Sequence, residues 1–226
     1  MKLITLNETV TASNERDANA LRQRMRREGK LLINVMSSAG AGKTTLLSRI
    51  IRDLPEIRIA VMEADIASDV DAKRIEALGA KAIQVHTSGM CHMDAGMTGA
   101  AFDAMEADDA ELFFLENVGN LICPAEYDTG AGRKMMLLSV PEGDDKPLKY
   151  PLMFRESDVL VITKTDALPY FNFNLRTCVE RAKKLNPAIT VFPVSAKTGE
   201  GMKELEYWIK SQLKEWNAQP NTGGKK

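Results

Sequence analysis

The chain has 226 residues, 44% hydrophobic and 27% charged, which supplies apolar material for one sizeable core and excludes a disordered or low-complexity protein. Lys and Arg total 30 against 31 for Asp and Glu, a net charge of -1, so no basic field draws in nucleic acid or an anionic membrane and partners must be recognised at a site. No apolar run approaches the roughly 20 residues that cross a bilayer, and residues 1–10 lack the apolar stretch of a signal peptide, so the expected location is the cytoplasm. Three cysteines, an odd number, fit thiols, ligands or core atoms better than a disulfide framework.

Ser13 or Asn14 can cap an N-terminal helix whose apolar residues Ala18, Leu21 and Met25 keep helical spacing up to Gly29, with an Arg-rich face turned to solvent. From residue 31 short apolar runs alternate with helical stretches. The runs are 31–36, 57–63, 81–86, 111–117, 134–140, 158–164 and 188–194. The helices between them are expected at 43–54, 69–78, 94–107, 172–185 and 202–216. Continuous apolar strands separated by helices predict an α/β fold, a single doubly wound and mostly parallel sheet with helices on both faces. The expected organisation is an N-terminal segment over 1–12, one domain over 13–216 and a flexible tail over 217–226, with no linker and no repeat. Residues 117–133 and 141–150 are long irregular stretches of the kind that carry function or move.

Ser37 to Thr45 lies between the first apolar run and the next helix and fits the P-loop pattern GxxxxGK followed by Ser or Thr, with Ser37 in the first Gly position. Small residues let successive N–H groups close around phosphate oxygens, a Lys reaches the β and γ phosphates, and a hydroxyl meets Mg²⁺. Gly40, Ala41, Gly42, Lys43, Thr44 and Thr45 supply these. The plain alternative is a Gly-rich turn that caps a helix. Ligands of such sheets sit outside the carboxyl ends of the strands, where Asp65 and Glu116 fall. Two carboxylates beside a phosphate loop suit Mg²⁺, and Gly119 can offer its N–H to a γ-phosphate. Asp69 and Asp71 are expected to cap and open the following helix.

Thr163-Lys164-Thr165-Asp166 and Ser195-Ala196-Lys197 resemble the base-reading elements of GTPases, in which the Asp accepts two hydrogen bonds from guanine and the Lys stem packs along the ring. That carboxylate repels the acceptor edge of adenine, so GTP is favoured over ATP. Thr163 stands where Asn is usual and makes fewer hydrogen bonds. No Gln or Arg stands out as the group that assists an attacking water.

Glu63 to Asp71, Cys91 to Ala95 and above all Glu116-Asn117-Val118-Gly119-Asn120-Leu121-Ile122-Cys123-Pro124 resemble the HypB family, P-loop GTPases that help insert nickel into nickel–iron hydrogenase. The resemblance spans about residues 14–215 and sets the chain apart from the urease-type nickel GTPases, which carry Cys-Pro-His. It implies a P-loop NTPase fold, slow hydrolysis of GTP with Mg²⁺, a homodimer formed or tightened by GTP, and metal delivery. The implied partners are a small nickel/zinc protein of the HypA type and the hydrogenase large-subunit precursor, and no N-terminal Cys-rich or His-rich store is expected.

Cys91, His92 and Cys123 match the family's metal ligands, a borderline-soft set that suits Ni²⁺ or Zn²⁺. Without the resemblance Cys-His is a weak signal, because free Cys is often simply buried. Cys178 recurs with Phe171, Leu175, Ala182 and Leu185 at helical spacing and reads as core. His86 ends a strand near the site, and Met90, Met93 and Met97 bracket Cys91, with packing the expected role for the methionines. The expected switch is an ordering of the segment after Gly119 by the γ-phosphate, which sets Cys123 against Cys91 and His92 near the dimer interface. Two other functions fit the same motifs: a GTPase chaperone for another metallocofactor enzyme, and a non-catalytic zinc-stabilised dimer controlled by nucleotide.

Overall fold

The structure, a computed structural model, describes residues 6–65, 70–87 and 89–218, with backbone alone for 6–11, 65 and 70. Its elements in chain order are α1 (Leu6–Arg27), β1 (Leu31–Met36), α2 (Lys43–Asp53), β2 (Ile59–Asp65), α3 (Val70–Glu76), β3 (Lys81–His86), α4 (Ala95–Ala104), β4 (Leu112–Glu116), α5 (Cys123–Glu126), β5 (Arg133–Ser139), α6 (Lys146–Lys149), α7 (Pro151–Arg155), β6 (Val159–Thr163), α8 (Leu175–Leu185), β7 (Thr190–Pro193) and α9 (Met202–Ala218). The seven strands form one sheet in the order β3-β2-β4-β1-β5-β6-β7, and every pairing is parallel. Among the described residues no helix is long and apolar enough to cross a membrane.

Each central strand buries both faces, which explains its near-continuous apolar run. In β1, Leu31, Ile33 and Val35 pack with Leu46, Ile50, Leu205, Ile209 and Trp216, the layer made by α2 and α9. Leu32 faces the other way, with Phe113, Leu21, Met25 and Phe102 under α1 and α4. A third cluster under α7 and α8 contains Met136, Leu160, Ile162 and Cys178. Each fully buried Leu, Ile or Val side chain contributes about 1.5–3 kcal/mol before chain entropy is subtracted.

Element ends move from expectation for local reasons. β2 begins at Ile59 because Ile57 N–H is held by the Leu54 carbonyl in the turn after α2. α4 stops at Ala104 and the chain turns through Glu106 at φ 48°. α8 starts at Leu175 because the Asn174 side chain accepts from Thr177 N–H. The irregular stretch 117–133 contains the one-turn α5, and 141–150 contains α6. The expected Asp69 cap and the tail from residue 219 lie outside the described residues.

The largest departure is α1, which starts at Leu6, so Ser13 and Asn14 lie inside the helix and cap nothing. Asn14 works across the fold: its amide donates to the Asp128 carbonyl at 2.9 Å, and its Oδ1 accepts from Ala95 N–H at 2.9 Å. Nor is the Arg-rich face simply solvated. Arg22 holds both oxygens of Asp128 and the Ala131 carbonyl, and the Arg26 guanidinium lies 4.2 Å from the Trp216 ring. α1 thereby ties the start of α4 to the segment that follows α5.

On α9, Glu206 keeps Oε1 buried and faces Asp53 at the end of α2. Burial, then the hydrogen bond and charge of Asp53, push its carboxyl up to about 7 against the opposing pull of Arg49 and Lys210. A carboxyl raised on folding holds its proton more tightly in the folded state. Its contribution is therefore complete below the ordinary value and lost as pH rises through about 7. Glu206→Gln is expected to flatten the fall in Tm between about pH 5 and pH 8, and an equally steep fall in thermal unfolding would assign that dependence elsewhere.

Candidate functional site

The carboxyl ends of β1, β2 and β4 open on a cleft of about 430 Å³, lined by Gly40, Gly42, Lys43, Thr44 and Thr45 on one side and Glu63, Glu116, Asn117 and Gly119 on the other. β1 delivers the chain into the loop Ser37–Gly42, in which Gly40 and Gly42 take φ 73° and 98°. Those left-handed turns favour glycine and keep the backbone close to whatever the loop encloses. Lys43 Nζ lies 3.3 Å from Ser37 Oγ, so Ser37, in place of the usual Gly, helps to hold the lysine. The loop is braced from both flanks. Thr163 Oγ1 donates to the Ala41 carbonyl at 2.7 Å, Lys164 Nζ donates to the Gly40 carbonyl at 2.7 Å, and Ser38 Oγ donates to Glu142. Glu142 in turn accepts from Ser139 N–H and Oγ at 2.8 and 2.7 Å.

Glu63 and Glu116 stand opposite each other in the β2–β4 register, both buried. Glu116 Oε1 accepts from Thr44 Oγ1 at 2.9 Å, while Glu116 Oε2 and Glu63 Oε1 are buried with no hydrogen-bond partner among the described residues. Burial, then the neighbouring Glu116, push the Glu63 carboxyl up to about 10, and burial raises Glu116 despite Lys43. A pair of buried carboxyls with orphaned oxygens beside a threonine hydroxyl fits a hard divalent cation such as Mg²⁺, whose charge offsets their desolvation. Asp65 closes β2 two residues beyond Glu63, and its side chain lies outside the described residues. The sequence places Glu63 at the start of the stretch that resembles the family but assigns it no role in the site. Its signal is a carboxylate inside an otherwise apolar strand, but the register that sets it against Glu116 is not a local property. Asp71, expected to open a helix, sits in the first turn of α3 and also lines the cleft.

At the ends of β6 and β7 the expected base-reading residues come together. Ser195 Oγ donates to Asp166 Oδ1 at 2.7 Å and is itself fully buried, which orients the carboxylate and leaves Oδ2 without that bond. Ser195 Oγ also accepts from Thr198 N–H at 3.1 Å, and the Ala196 carbonyl accepts from Arg49 at 3.4 Å, so the loop that carries Lys197 is pinned at both turns. Lys164 adopts φ 60°, and its Cε lies 3.8 Å from where a Cβ of Gly42 would stand. Thr163 spends its hydroxyl on the phosphate loop, the physical use of the residue that replaces Asn.

Cys91, His92 and Cys123 meet in a second cluster whose candidate ligand atoms all lie within 4.8 Å of one another. Cys91 Sγ is 2.8 Å from Cys123 Sγ and 3.8 Å from His92 Nδ1. The His92 ring stacks on Tyr127 at 3.8 Å, which fixes its plane. Burial lowers the His92 pKa, favouring the neutral ring that binds metals, and the neighbouring Cys91 raises the Cys123 thiol. Two thiols and one imidazole suit a borderline-soft ion with further positions open to water or another chain. His86 is exposed and outside this cluster, Met93 is buried as core, and Met90 is exposed. Cys178 is fully buried, its thiol pushed up to about 12 by burial, as a core cysteine should be.

The two centres are joined by the chain from Glu116 to Cys123 and by one side chain the sequence reading did not single out. Asn117, fully buried at the end of β4, accepts through Oδ1 from Met93 N–H at 3.1 Å and from Val118 N–H at 2.9 Å, and donates to Asn34 Oδ1 at 3.1 Å. Next to it, a Cβ on Gly119 would stand 2.8 Å from both Cα and N of Ala39. The loop that carries Cys91 and His92, the turn after β4 and the loop Ser37–Gly42 are thus in contact.

A family model described as "CobW/HypB/UreG, nucleotide-binding domain" matches residues 31–193. Hydrogenase maturation factor HypB of Azotobacter chroococcum mcd 1 is 45% identical over 212 residues, which cover 93% of this chain and 70% of that one. Among solved structures, HypB from Helicobacter pylori in complex with nickel superposes with a TM-score of 0.87 at 36% identity, covering 94% of this chain and 100% of the other. HypB from Archaeoglobus fulgidus gives 0.83 at 34% identity, covering 89% and 99%.

Gly119→Ala is expected to push the turn off the phosphate loop and weaken nucleotide binding by about tenfold or more, with the circular dichroism spectrum unchanged. Wild-type affinity in calorimetric titration would show that the two backbones separate without cost.

Proposed function

The chain belongs to the CobW/HypB/UreG nucleotide-binding family and within it to the hydrogenase maturation factors HypB, and from that premise we propose that it is a GTP-hydrolysing metallochaperone that delivers nickel during hydrogenase maturation. The observation that carries the reading is the short link between two chemically different centres, a phosphate cleft that ends at Glu116 and a thiol–imidazole cluster completed by Cys123.

In this reading the N–H groups of Gly40 to Thr45 enclose the phosphates, and Lys43 neutralises the β and γ oxygens. Thr44, Glu116 and Glu63 hold Mg²⁺, directly or through water, with Asp65 close by on the same strand. Bound there, Mg²⁺ draws charge off the phosphate oxygens and off the two buried carboxyls alike. Asp166, oriented by Ser195, accepts the guanine N–H groups, Lys164 lays its stem along the ring, and Ala196 and Lys197 close the far side. The γ-phosphate is sensed by Gly119, which is already pressed against the phosphate loop, so a displacement there shifts Asn117 and the chain to Cys123. Asn117 passes the same displacement to Met93, next to His92. Ni²⁺, the cargo, is held by Cys91, His92 and Cys123, which also suit Zn²⁺. GTP drives formation or tightening of a homodimer, and hydrolysis loosens the metal for a HypA-type protein and the hydrogenase large-subunit precursor, in the cytoplasm.

The coupling requires metal affinity to differ between nucleotide states, with nucleotide affinity changing reciprocally. Titration of Ni²⁺ followed by thiolate-to-metal absorption is expected to give dissociation constants at least about fivefold apart with GDP and with a non-hydrolysable GTP analogue, and equal constants would sink the switch. Cys123→Ala should cost at least about tenfold in Ni²⁺ affinity while GTP binding is unchanged. Lys43→Ala should abolish turnover in a phosphate-release assay without unfolding the chain, and unaltered turnover would remove the phosphate-loop assignment.

A further inference from the structure

Among the described residues three cations line the nucleotide cleft: Lys43, Lys164 and Arg74. Two are committed. Lys43 rises from the phosphate loop and is held by Ser37, and Lys164 is bound to the Gly40 carbonyl on the side of the base-reading loops. Arg74 reaches the cleft from α3, on the face formed with Glu63, Ala64 and Asp71. Its ion pair with Asp71 is 4.0 Å long, beyond a hydrogen bond, and its side chain is 60% exposed. Among the described residues the guanidinium is therefore at the lip of the cleft and held by that long pair.

We propose that Arg74 stabilises the charge that develops on the transferred phosphoryl group, a guanidinium supplied by the same chain; this rests on the cleft being a GTP-hydrolysing site. In hydrolysis the water oxygen forms the new bond to the γ-phosphorus. The bond from that phosphorus to the bridging oxygen breaks, its electron pair leaves on the β-phosphate of GDP, and the proton released by the water passes to the phosphate product. Negative charge therefore shifts toward the bridging oxygen while it remains spread over the three γ oxygens. Lys43 meets that charge from the phosphate loop, and Thr44, Glu116 and Glu63 are the residues that would hold a divalent cation beside it. From α3 the cleft is lined by the Asp71 carboxyl, which opposes charge build-up, and by Arg74, the residue of that helix with the opposite sign. An arginine stays protonated throughout, and its planar fork presents two parallel N–H donors to two oxygens of one phosphate. Asp71, one turn earlier on the same helix, retains the guanidinium near the cleft before nucleotide arrives. The loose hold matters, since a guanidinium locked in a short ion pair would have to break that pair to act.

A simple surface pair of Asp71 and Arg74 on a short helix predicts none of the following. Arg74→Ala is expected to lower kcat for GTP about 100-fold with KM within about threefold of wild type. Affinity for a non-hydrolysable GTP analogue should be unchanged, while affinity for GDP with aluminium fluoride and Mg²⁺, which imitates the phosphoryl group in flight, should be lost. Arg74→Lys should recover part of both. Wild-type kcat and aluminium-fluoride affinity in Arg74→Ala would overturn the proposal, and so would a loss of analogue affinity as large as the loss of kcat/KM, which would make Arg74 a ground-state binder. Failure of the underlying reading looks different: wild type would then release no phosphate from GTP, or Lys43→Ala would turn over as fast as wild type.

Discussion

Contact between two backbones, the turn at Gly119 and the phosphate loop at Ala39, is the constraint on which the rest of this architecture depends. Strands β1 and β4 are paired in register from Leu31 and Leu112 to Val35 and Glu116, so their carboxyl ends must leave the sheet side by side. Only a residue without a Cβ lets the second chain lie against the first at that point. The buried amide of Asn117 fixes the geometry with three hydrogen bonds, one within its own turn, one to β1 and one to the loop that carries Cys91 and His92. A buried amide with its partners in place has one acceptable orientation, because any other leaves polar atoms unpaired in a dry interior. One buried amide is therefore bonded to β1, to the turn after β4 and to the loop that carries Cys91 and His92.

The same ends of β2 and β4 place two carboxyls in a buried cleft, an arrangement that costs the empty protein energy and favours whatever cation-bearing ligand relieves it. Charges of both signs meet in the cleft. Lys43 and Lys164 line it with the carboxyls of Glu63, Glu116 and Asp71, Lys43 acts on both glutamates, and Arg74 reaches it from α3. Such a cleft suits a nucleotide that arrives with a divalent cation better than a free anion.

Structural support for the thiol–imidazole cluster comes from an unexpected distance. Cys123 opens a one-turn helix that buries Pro124 and Ala125, and the segment after it is secured by Arg22 and Asn14 of α1. Asn14 also takes the first amide of α4, directly after the Cys91-His92 loop. The N-terminal helix is thus the outer clamp on both halves of the cluster, and its arginines are part of the site's frame.

Much of this was legible in the chain. All seven strands were, because strands of a parallel sheet covered on both faces must be continuously apolar, and the helices between them carry their own stripe and stop signals. The residues that gather at the strand ends stood out in the sequence as short motifs, since such loops and turns are local in the chain. The family resemblance, not residue pattern, singled out Cys91, His92 and Cys123. What the tertiary structure alone decided is non-local: that Glu63 faces Glu116, that Asn117 joins two loops, that Thr163 braces the phosphate loop, and that Arg74 reaches the cleft. Each of these depends on strand order and register, which place together residues far apart in the chain, whereas local sequence determines only which stretches become strands and helices.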